Sequence, residues 1–210
     1  MKLQELFDIQ RELDQRIIEK HGLQGDDLLP KKILALQVEL GELANEARFW
    51  KFWSEDQELR TWHPNEKDVC ESCKGEPIFI ENGKIVGQCD DCDGCGVHFH
   101  NPLLEEYVDC LHFILSIGIE IGADKVFFEY TFDEIWESET KYMIDRYTLT
   151  EILSTLIEDC RWSMGTSGYW ESFFEQFADL GKKLGFSKDE VFEAYFNKHQ
   201  INITRQETGY

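Results

Sequence analysis

The sequence predicts an all-α protein, a helical bundle interrupted by one small cysteine-rich insertion. Apolar residues recur every three or four positions over most of the chain, and helix-capping patterns precede several of these stretches. Five of the seven cysteines fall between residues 60 and 100. We therefore predict a helical domain formed by residues 1–59 and 101–210, with residues 60–100 inserted into it.

The first three helices are marked by their boundaries and by their apolar stripes. The first stripe ends at Gly22, and Pro30 suits the first turn of the second helix. The third begins at Asn101 and Pro102 and ends near Gly122. The apolar residues of the first stripe are Leu3, Leu6, Phe7, Leu13, Ile17 and Ile18.

The remaining helices follow residue 122. Residues 123–146 are expected to be helical, although their stripe is weaker. Thr148 with Glu151, and Ser187 with Glu190, have the spacing of capping boxes that open helices. Aromatic residues repeat at helical spacing between these boxes. Because residues 123–196 hold more aromatic side chains than a small bundle needs, we expect a homodimer.

Charge and hydropathy argue against nucleic acids and membranes as binding partners. The formal net charge is -21, from 42 acidic and 21 basic residues. Such a surface repels nucleic acid and anionic membranes, so neither is an expected partner. No stretch approaches the roughly 20 apolar residues of a membrane helix, and the first residues carry no apolar signal region. We therefore expect a cytoplasmic protein with reduced cysteines.

The insertion has the cysteine spacing of a zinc ribbon. Cys70 and Cys73 form one Cys-x2-Cys pair, and Cys89 and Cys92 form a second pair after fifteen residues. Residues 78–86 are predicted to form a hairpin around Asn-Gly, which would bring the pairs together. These four thiols are the expected ligands of a structural Zn²⁺. The fourth position is open, because three further ligands lie nearby: Cys95, His98 and His100.

Two pairs of acids in the helical part predict a second metal site. Glu39 and Glu42 are three residues apart, as are Glu106 and Asp109, so each pair shares one face of its helix. Apolar stripes run close to both pairs. Four converging carboxylates would form a hard oxygen site for Mg²⁺. Acid pairs also arise by chance in so acidic a chain, and then they are merely solvated.

Two further groups of residues could contact a ligand. His112 lies one turn after Asp109, where it is either a structural histidine or a substrate contact. Near the end of the chain, Lys198, Asn202 and Arg205 recur at nearly helical spacing. They either form an anion site or only complement the end of a helix. If they bind an anion, we expect this tail to become ordered with the substrate.

These segments together resemble the dimeric deoxyuridine triphosphatases, a family of all-α nucleoside triphosphate pyrophosphohydrolases. The resemblance covers most of the chain outside residues 60–100. It is carried by Gln10 and Asp14, by Glu39-x-x-Glu42 leading into Trp50-Lys51-Phe52-Trp53, by Glu106-x-x-Asp109 followed by His112-Phe113, and by a tail pattern from Tyr195 to Tyr210 that includes Lys198, Asn202, Arg205 and Gln206.

The resemblance implies an activity and a role for each motif. The activity would be Mg²⁺-dependent hydrolysis of dUTP, and of dUDP, to dUMP with release of pyrophosphate or phosphate. The four acids would hold Mg²⁺, and Glu39 or Glu42 would deprotonate the attacking water. The roles of the other residues follow from the same resemblance: Lys198, Asn202 and Arg205 on the phosphates; His112, Gln10 and an aromatic residue from Trp50, Phe52 and Trp53 around uracil; Phe113 on the deoxyribose; Asp14 and Gln206 in the same substrate site.

The sequence departs from the family pattern in two places, and it leaves two other functions open. Phe52 stands where the family more often has Trp, and the cysteine-rich insertion is not a general family feature. Paired acids alone also fit MazG-like pyrophosphohydrolases that act on another nucleotide, such as dCTP. A zinc-ribbon interaction protein without enzymatic activity would require the helical acids and the basic tail to be coincidental.

Overall fold

A computed structural model describes residues 2–76, 78–81, 84–92, 94–127, 129–137, 146–163 and 166–208. Contacts divide the chain into two compact units, residues 1–59 with 104–210 and residues 60–103. The first unit holds the α-helices and the second holds the short strands. The described part of the chain is all-α apart from these strands, as the sequence predicts.

Three long helices have the predicted boundaries to within a few residues. Helix α1 spans Leu3–His21, α2 spans Leu29–Ala47 and α3 spans Pro102–Glu120. Gly22 ends α1 in the left-handed conformation, with φ of +65°, and the next N–H, that of Leu23, donates to the carbonyl of Ile18. Such a turn satisfies carbonyls that the helix leaves open, and glycine adopts it without a steric cost.

Four further helices complete the described part of the bundle. Helix α4 spans Phe132–Glu137, α5 spans Leu149–Ser163, α6 spans Ser167–Leu184 and α7 spans Lys188–Thr208. Both predicted capping boxes form: Thr148 pairs with Glu151 before α5, and Ser187 pairs with Glu190 before α7. Helix α1 packs against α7, α2 against α5, and α6 against both α4 and α5.

The described part of residues 123–146 is less helical than predicted. A 3₁₀ turn covers Ala123–Lys125, and α4 begins only at Phe132. Between them the chain runs beside the start of α1, where the Leu3 N–H donates to the carbonyl of Tyr130 and Lys2 bridges Thr131. This pairing requires an extended backbone, which the helical prediction missed. Residues 138–145 lie outside the described part of the chain.

The aromatic side chains form a core within one chain. Trp170 contacts Phe7, Phe127 and Phe174, and its indole N–H donates to the carbonyl of Ile114 at 2.8 Å. A Cβ on Gly118 would lie within 2.9 Å of Phe7 and Trp170, so α3 needs glycine there. These rings are buried within one chain, whereas Tyr130, Tyr169 and Phe196 are 42%, 61% and 36% exposed, so the aromatic side chains of this segment are divided between core and surface.

The second unit contains two small antiparallel sheets. Strand β1, His63–Val69, pairs with β4, Val97–His100, and β2, Ile78–Glu81, pairs with β3, Lys84–Gln88. The second pair is the predicted hairpin, although its Asn82–Gly83 turn lies outside the described residues. Over the described part of the chain, no helix has the length and apolar character needed to cross a bilayer.

Candidate active site

Three of the predicted acids lie together on the faces of α2 and α3. Carboxylate oxygens of Glu39, Glu42 and Glu106 all lie within 4.8 Å of one another. Glu39 and Glu106 are half-buried, and Glu42 is exposed. The three-residue spacing within α2 aims Glu39 and Glu42 at α3, as the sequence predicts. We call Glu39, Glu42, Glu106 and Asp109 the carboxylate cluster.

The cluster carries more negative charge than its partners balance. Burial, followed by the charges of Asp109 and Glu42, raises the pKa of Glu39 to about 7. Burial, followed by Asp109, Glu42 and Glu39, raises the pKa of Glu106 to about 7 as well. Acids in such surroundings either take up protons or bind a cation. Their oxygens are the donors that Mg²⁺ and similar hard cations prefer.

Asp109 has a different partner from the other three acids. The buried ammonium of Lys198, on α7, donates to Asp109 at 2.6 Å and to Glu105 at 2.8 Å. Burial raises the pKa of Asp109, while Lys198 and Arg205 oppose that rise. Sequence reasoning assigned Lys198 to phosphates and did not include Glu105 in the site. In the structure, Lys198 binds both Glu105 and Asp109, so both Lys198 and Glu105 lie next to the cluster.

A cavity of about 220 Å³ adjoins the carboxylate cluster. Residues of α1, α2, α3 and α7 line it, which brings together segments separated by almost the whole chain. Eight of its lining residues are predicted substrate contacts: Gln10, Asp14, His112, Phe113, Lys198, Asn202, Arg205 and Gln206. Two members of the carboxylate cluster, Glu39 and Asp109, also line the cavity. Leu13, Ile17 and Ser116 complete the lining.

Asp14 is held in place from two helices at the far side of the cavity. Lys32 of α2 donates to its carboxylate at 3.1 Å, and Ser116 of α3 donates at 2.5 Å. The Gln10 amide N–H₂ donates to the other carboxylate oxygen at 2.8 Å. Because a carboxylate only accepts hydrogen bonds, Asp14 fixes the orientation of the Gln10 amide. The amide oxygen of Gln10 must then face away from Asp14.

That orientation decides the tautomer of His112. The Gln10 oxygen lies 2.7 Å from Nδ1 of His112 and also accepts from the hydroxyl of Tyr195 at 3.2 Å. Nδ1 of His112 therefore carries the proton and Nε2 is an acceptor. Burial, followed by the charges of His199 and Lys198, lowers the pKa of His112 to about 3, so the ring is neutral. Among the described residues, buried Nε2 has no hydrogen-bond partner.

The last helix supplies the remaining polar groups of the cavity. Arg205 lies within 3.5 Å of Asn202, and the buried side-chain oxygen of Gln206 has no hydrogen-bond partner among the described residues. Helix α7 is already formed here and is tied to α1, because Lys20 donates to the carbonyl of Gln206 at 2.5 Å. This segment is helical up to Thr208, and its ordering with substrate stays a prediction. Gly209 and Tyr210 lie outside the described residues.

The predicted aromatic contacts of residues 50–53 lie elsewhere. Trp50 donates its indole N–H to the carbonyl of Ala44, while Phe52 and Trp53 are 85% and 64% exposed. Trp50 and Trp53 line a separate concave surface with Arg48 and its neighbours. Helix α2 ends at Arg48, which adopts a left-handed conformation with φ of +55°. The run that follows this turn does not reach the described lining of the cavity within one chain.

The four predicted zinc ligands cluster in the second unit. The sulfurs of Cys70 and Cys89 are 3.8 Å apart, and those of Cys73 and Cys92 are 3.7 Å apart. All four sulfurs lie within 4.8 Å of one another. The exposed Cys95 instead directs its thiol at the carbonyls of Cys92 and Val97. The side chain of His98 lies outside the described residues.

Sequence reasoning missed the residues that support the cavity. Ser116 follows His112 by one turn of α3, so its position on the same face could have been read from the spacing. Lys32 gives no comparable signal, because its role depends on how α1 and α2 pack. The ion pairs of Lys32 with Asp14 and Glu120 join three helices.

Comparison with known proteins supplies the family. A family model described as dUTPase matches residues 2–66 and 98–210. The match includes both acid pairs, the cavity-lining residues and the tail, and it leaves out residues 67–97 with all four clustered cysteines. Searches of curated proteins and of solved structures gave no match. The chain therefore belongs to the dUTPase family of the dimeric, all-α type, and it is a nucleoside triphosphate pyrophosphohydrolase that acts on dUTP.

Proposed function

We propose that the protein catalyses Mg²⁺-dependent hydrolysis of dUTP, and of dUDP, to dUMP with release of pyrophosphate or phosphate. The observation that carries the proposal is the cavity itself. It joins an acidic cluster to a neutral hydrogen-bonding site and has the cations of α7 beside it. Its 220 Å³ is below the roughly 300–1,000 Å³ of typical ligand pockets, which suits a nucleoside with its phosphates extending outward.

Mg²⁺ fits the donors at the acidic end. Glu39, Glu42, Glu106 and Asp109 would hold it, and the raised pKa of Glu39 and of Glu106 supports a requirement for a cation there. Bound Mg²⁺ would polarise phosphoryl oxygens and neutralise the charge that develops on them. Glu39 or Glu42 would orient the attacking water and take its proton. Glu39 is the favoured base, because it lines the cavity.

Uracil would bind at the end formed by Gln10 and His112. Nε2 of neutral His112 is buried without a partner beside the cavity, and a small rotation of the ring would let it accept a hydrogen bond from N3–H of uracil. Cytosine has a lone pair instead of a hydrogen at N3. Its N3 and Nε2 of His112, both acceptors, would then face each other without a hydrogen bond. Phe113 would pack on the deoxyribose and exclude a 2′-hydroxyl, while Asp14 acts by holding Gln10. This arrangement supports selectivity for dUTP over dCTP.

The triphosphate would be bound by groups on α7. Arg205 can donate paired hydrogen bonds to phosphate oxygens, and Asn202 and Gln206 lie beside it in the cavity. Lys198 is already paired with Asp109 and Glu105. It would contact phosphate as Mg²⁺ takes over the charge of Asp109. The aromatic run at residues 50–53 is not needed for this scheme within one protomer.

We also propose that the enzyme is a cytoplasmic homodimer, as the dimeric type of its family implies. Leu34 and Val38, one turn apart on α2, are 61% and 50% exposed, which supports an apolar contact between copies. Light scattering should give twice the mass of the chain. Zn²⁺ would have no part in the reaction, because four thiolates leave no open position for water.

A panel of nucleotides with Mg²⁺, analysed by chromatography of the products, tests the proposal. We expect dUTP and dUDP to yield dUMP, while UTP, dCTP and dTTP remain essentially intact. Replacing Mg²⁺ with EDTA should stop turnover. Comparable cleavage of dCTP would overturn the role given to His112, and turnover of dUTP in EDTA would overturn the role given to the carboxylate cluster.

A further inference from the structure

Residues 60–103 form a compact unit in which few of the described side chains are buried. Of the side chains described between residues 60 and 102, only those of Cys70, Cys73, Cys89 and Cys92 are buried. The apolar side chains of the central hairpin, including Ile80 and Ile85, are 47% to 70% exposed. Units of this size usually need a metal, disulfides or oligomerisation, because they bury too little apolar surface to fold on it alone.

The sulfurs have the geometry of a tetrahedral metal site rather than of disulfides. Metal–sulfur bonds of about 2.3 Å place the sulfurs of a tetrahedral Zn²⁺ site about 3.8 Å apart. The two closest pairs are separated by 3.8 Å and 3.7 Å. A disulfide requires about 2.05 Å, and all seven cysteines are free thiols.

The backbone around the cysteines is arranged as two matching turns. After Cys73 the chain turns through Lys74 and Gly75, with φ of +52° and +83°, and the Lys74 N–H donates to the carbonyl of Cys70. After Cys92 the turn contains Gly94, with φ of +77°, whose N–H donates to the carbonyl of Cys89. The Gly96 N–H donates to the sulfur of Cys92 at 3.2 Å, which favours a thiolate there.

From these observations we infer that residues 60–103 are a zinc-binding module whose four-cysteine site is its core, so that this unit folds only when Zn²⁺ is bound. The ligands are Cys70, Cys73, Cys89 and Cys92. Cys95 is excluded because its thiol faces backbone carbonyls. The inference is independent of the proposed nucleotide hydrolysis, since the family match omits residues 67–97 and every residue that lines the cavity belongs to the helical unit.

Metal analysis of the full chain tests the ligand set. Protein purified without added metal should contain one zinc per chain. Cys73→Ser and Cys92→Ser should each lower this to less than a tenth, whereas the matched control Cys95→Ser should keep it. Co²⁺ added to metal-free wild-type protein should give the strong visible absorption of tetrahedral Co²⁺–thiolate, a readout that needs no soluble variant. Iron in place of zinc, or binding that depends on Cys95, would overturn the assignment.

Hydrogen exchange tests the claim about folding. Removing zinc from wild-type protein with a strong chelator should abolish amide protection in residues 60–103 and leave protection in α1, α3 and α6 unchanged. Protection that persists in 60–103 without metal would overturn the inference. Hydrolysis of dUTP, measured after excess Mg²⁺ is restored, should be retained. Loss of exchange protection with turnover intact supports this inference, whereas absence of turnover with protection and zinc intact counts only against the proposed hydrolysis.

Discussion

The two ends of the cavity have opposite electrostatic character. At the carboxylate cluster, burial and neighbouring acids raise the pKa of Glu39 and of Glu106 to about 7. At the other end, Asp14 is balanced by Lys32 and Ser116, and burial lowers the pKa of His112 to about 3. The first end is therefore complementary to a cation. The second end is complementary to a neutral group that donates a hydrogen bond.

In the proposed scheme, this difference would separate chemistry from recognition within one small cavity. A change at the carboxylate cluster should act on the rate of hydrolysis, because developing charge would be stabilised there. A change at the Gln10–His112 end should act on the choice of base, because an unpaired buried polar group is costly. Variants that affected both ends alike would show that the cavity acts as a single unit.

The largest effect should come from Glu39→Gln. The amide keeps the size of the side chain but removes a metal ligand and a proton acceptor, so dUTP turnover should fall by about 10²–10⁴-fold. The helical circular dichroism should be unchanged. Glu193→Gln, which alters an exposed acid on α7, is the matched control and should retain normal turnover. Normal turnover in Glu39→Gln, and in Asp109→Asn, would remove the cluster from the mechanism.

Arg205→Ala tests the region between the two ends. Loss of one charged hydrogen-bonded contact costs about 1.5–3 kcal/mol, so kcat/KM for dUTP should fall by about 10–100-fold. Because Arg205 lies near the end of α7, the midpoint of thermal unfolding without ligand should change little. Arg205→Lys should recover only part of the loss, since lysine cannot donate two parallel bonds. An equal loss of stability and activity would indicate a purely structural residue.

Asp14→Asn should act mainly on selectivity. An asparagine can donate as well as accept, so the Gln10 amide would no longer be held in one orientation, nor would the tautomer of His112. We expect the preference for dUTP over dCTP to fall by about tenfold, with a smaller change in kcat for dUTP. The ratio of kcat/KM for the two substrates measures this. A fall in kcat with unchanged selectivity would place Asp14 with the carboxylate cluster instead.

The carboxylate cluster and the tail could be read from the sequence because both are local helical patterns. Three-residue spacing fixes which way Glu39 and Glu42 face, and seven-residue spacing puts Lys198 and Arg205 on one face of α7. The helix boundaries were equally readable from Gly22 and from the capping boxes. Spacing also identified the four cysteines, since two Cys-x2-Cys turns leave few other arrangements.

Features that depend on packing between helices could not be read in this way. Predicting the pairing of Lys32 with Asp14 requires knowledge of how α1 packs against α2. The sequence does not specify the path of the loop that joins the two helices. The aromatic run after α2 lies apart from the cavity within one chain, and its direction depends on the left-handed turn at Arg48. Arginine rarely adopts that conformation, so the turn could not be predicted from the sequence.

The smallest effect that we expect is the pH dependence of stability, which compares the acidic end with and without Mg²⁺. In the metal-free folded protein the pKa of Glu39 and of Glu106 is about 7, against an ordinary 4.5. The folded state therefore holds protons that the unfolded state releases between pH 4.5 and 7. These two acids favour the fold at low pH, and this advantage is lost as the pH rises through about 7.

Bound Mg²⁺ should remove that loss, because it stabilises the ionised carboxylates that repel one another without it. The increase in the midpoint of thermal unfolding caused by Mg²⁺ should therefore be larger at pH 8 than at pH 6, by a few degrees. Scanning calorimetry at the two pH values, with and without Mg²⁺, measures it. Glu39→Gln should shrink the difference, because one titrating ligand is gone, while Glu193→Gln should preserve it. An increase of the same size at both pH values in the wild-type protein would mean that Mg²⁺ does not compete with these protons. The cation would then have to bind away from Glu39 and Glu106, and the acidic end of the cavity would lose its assigned role.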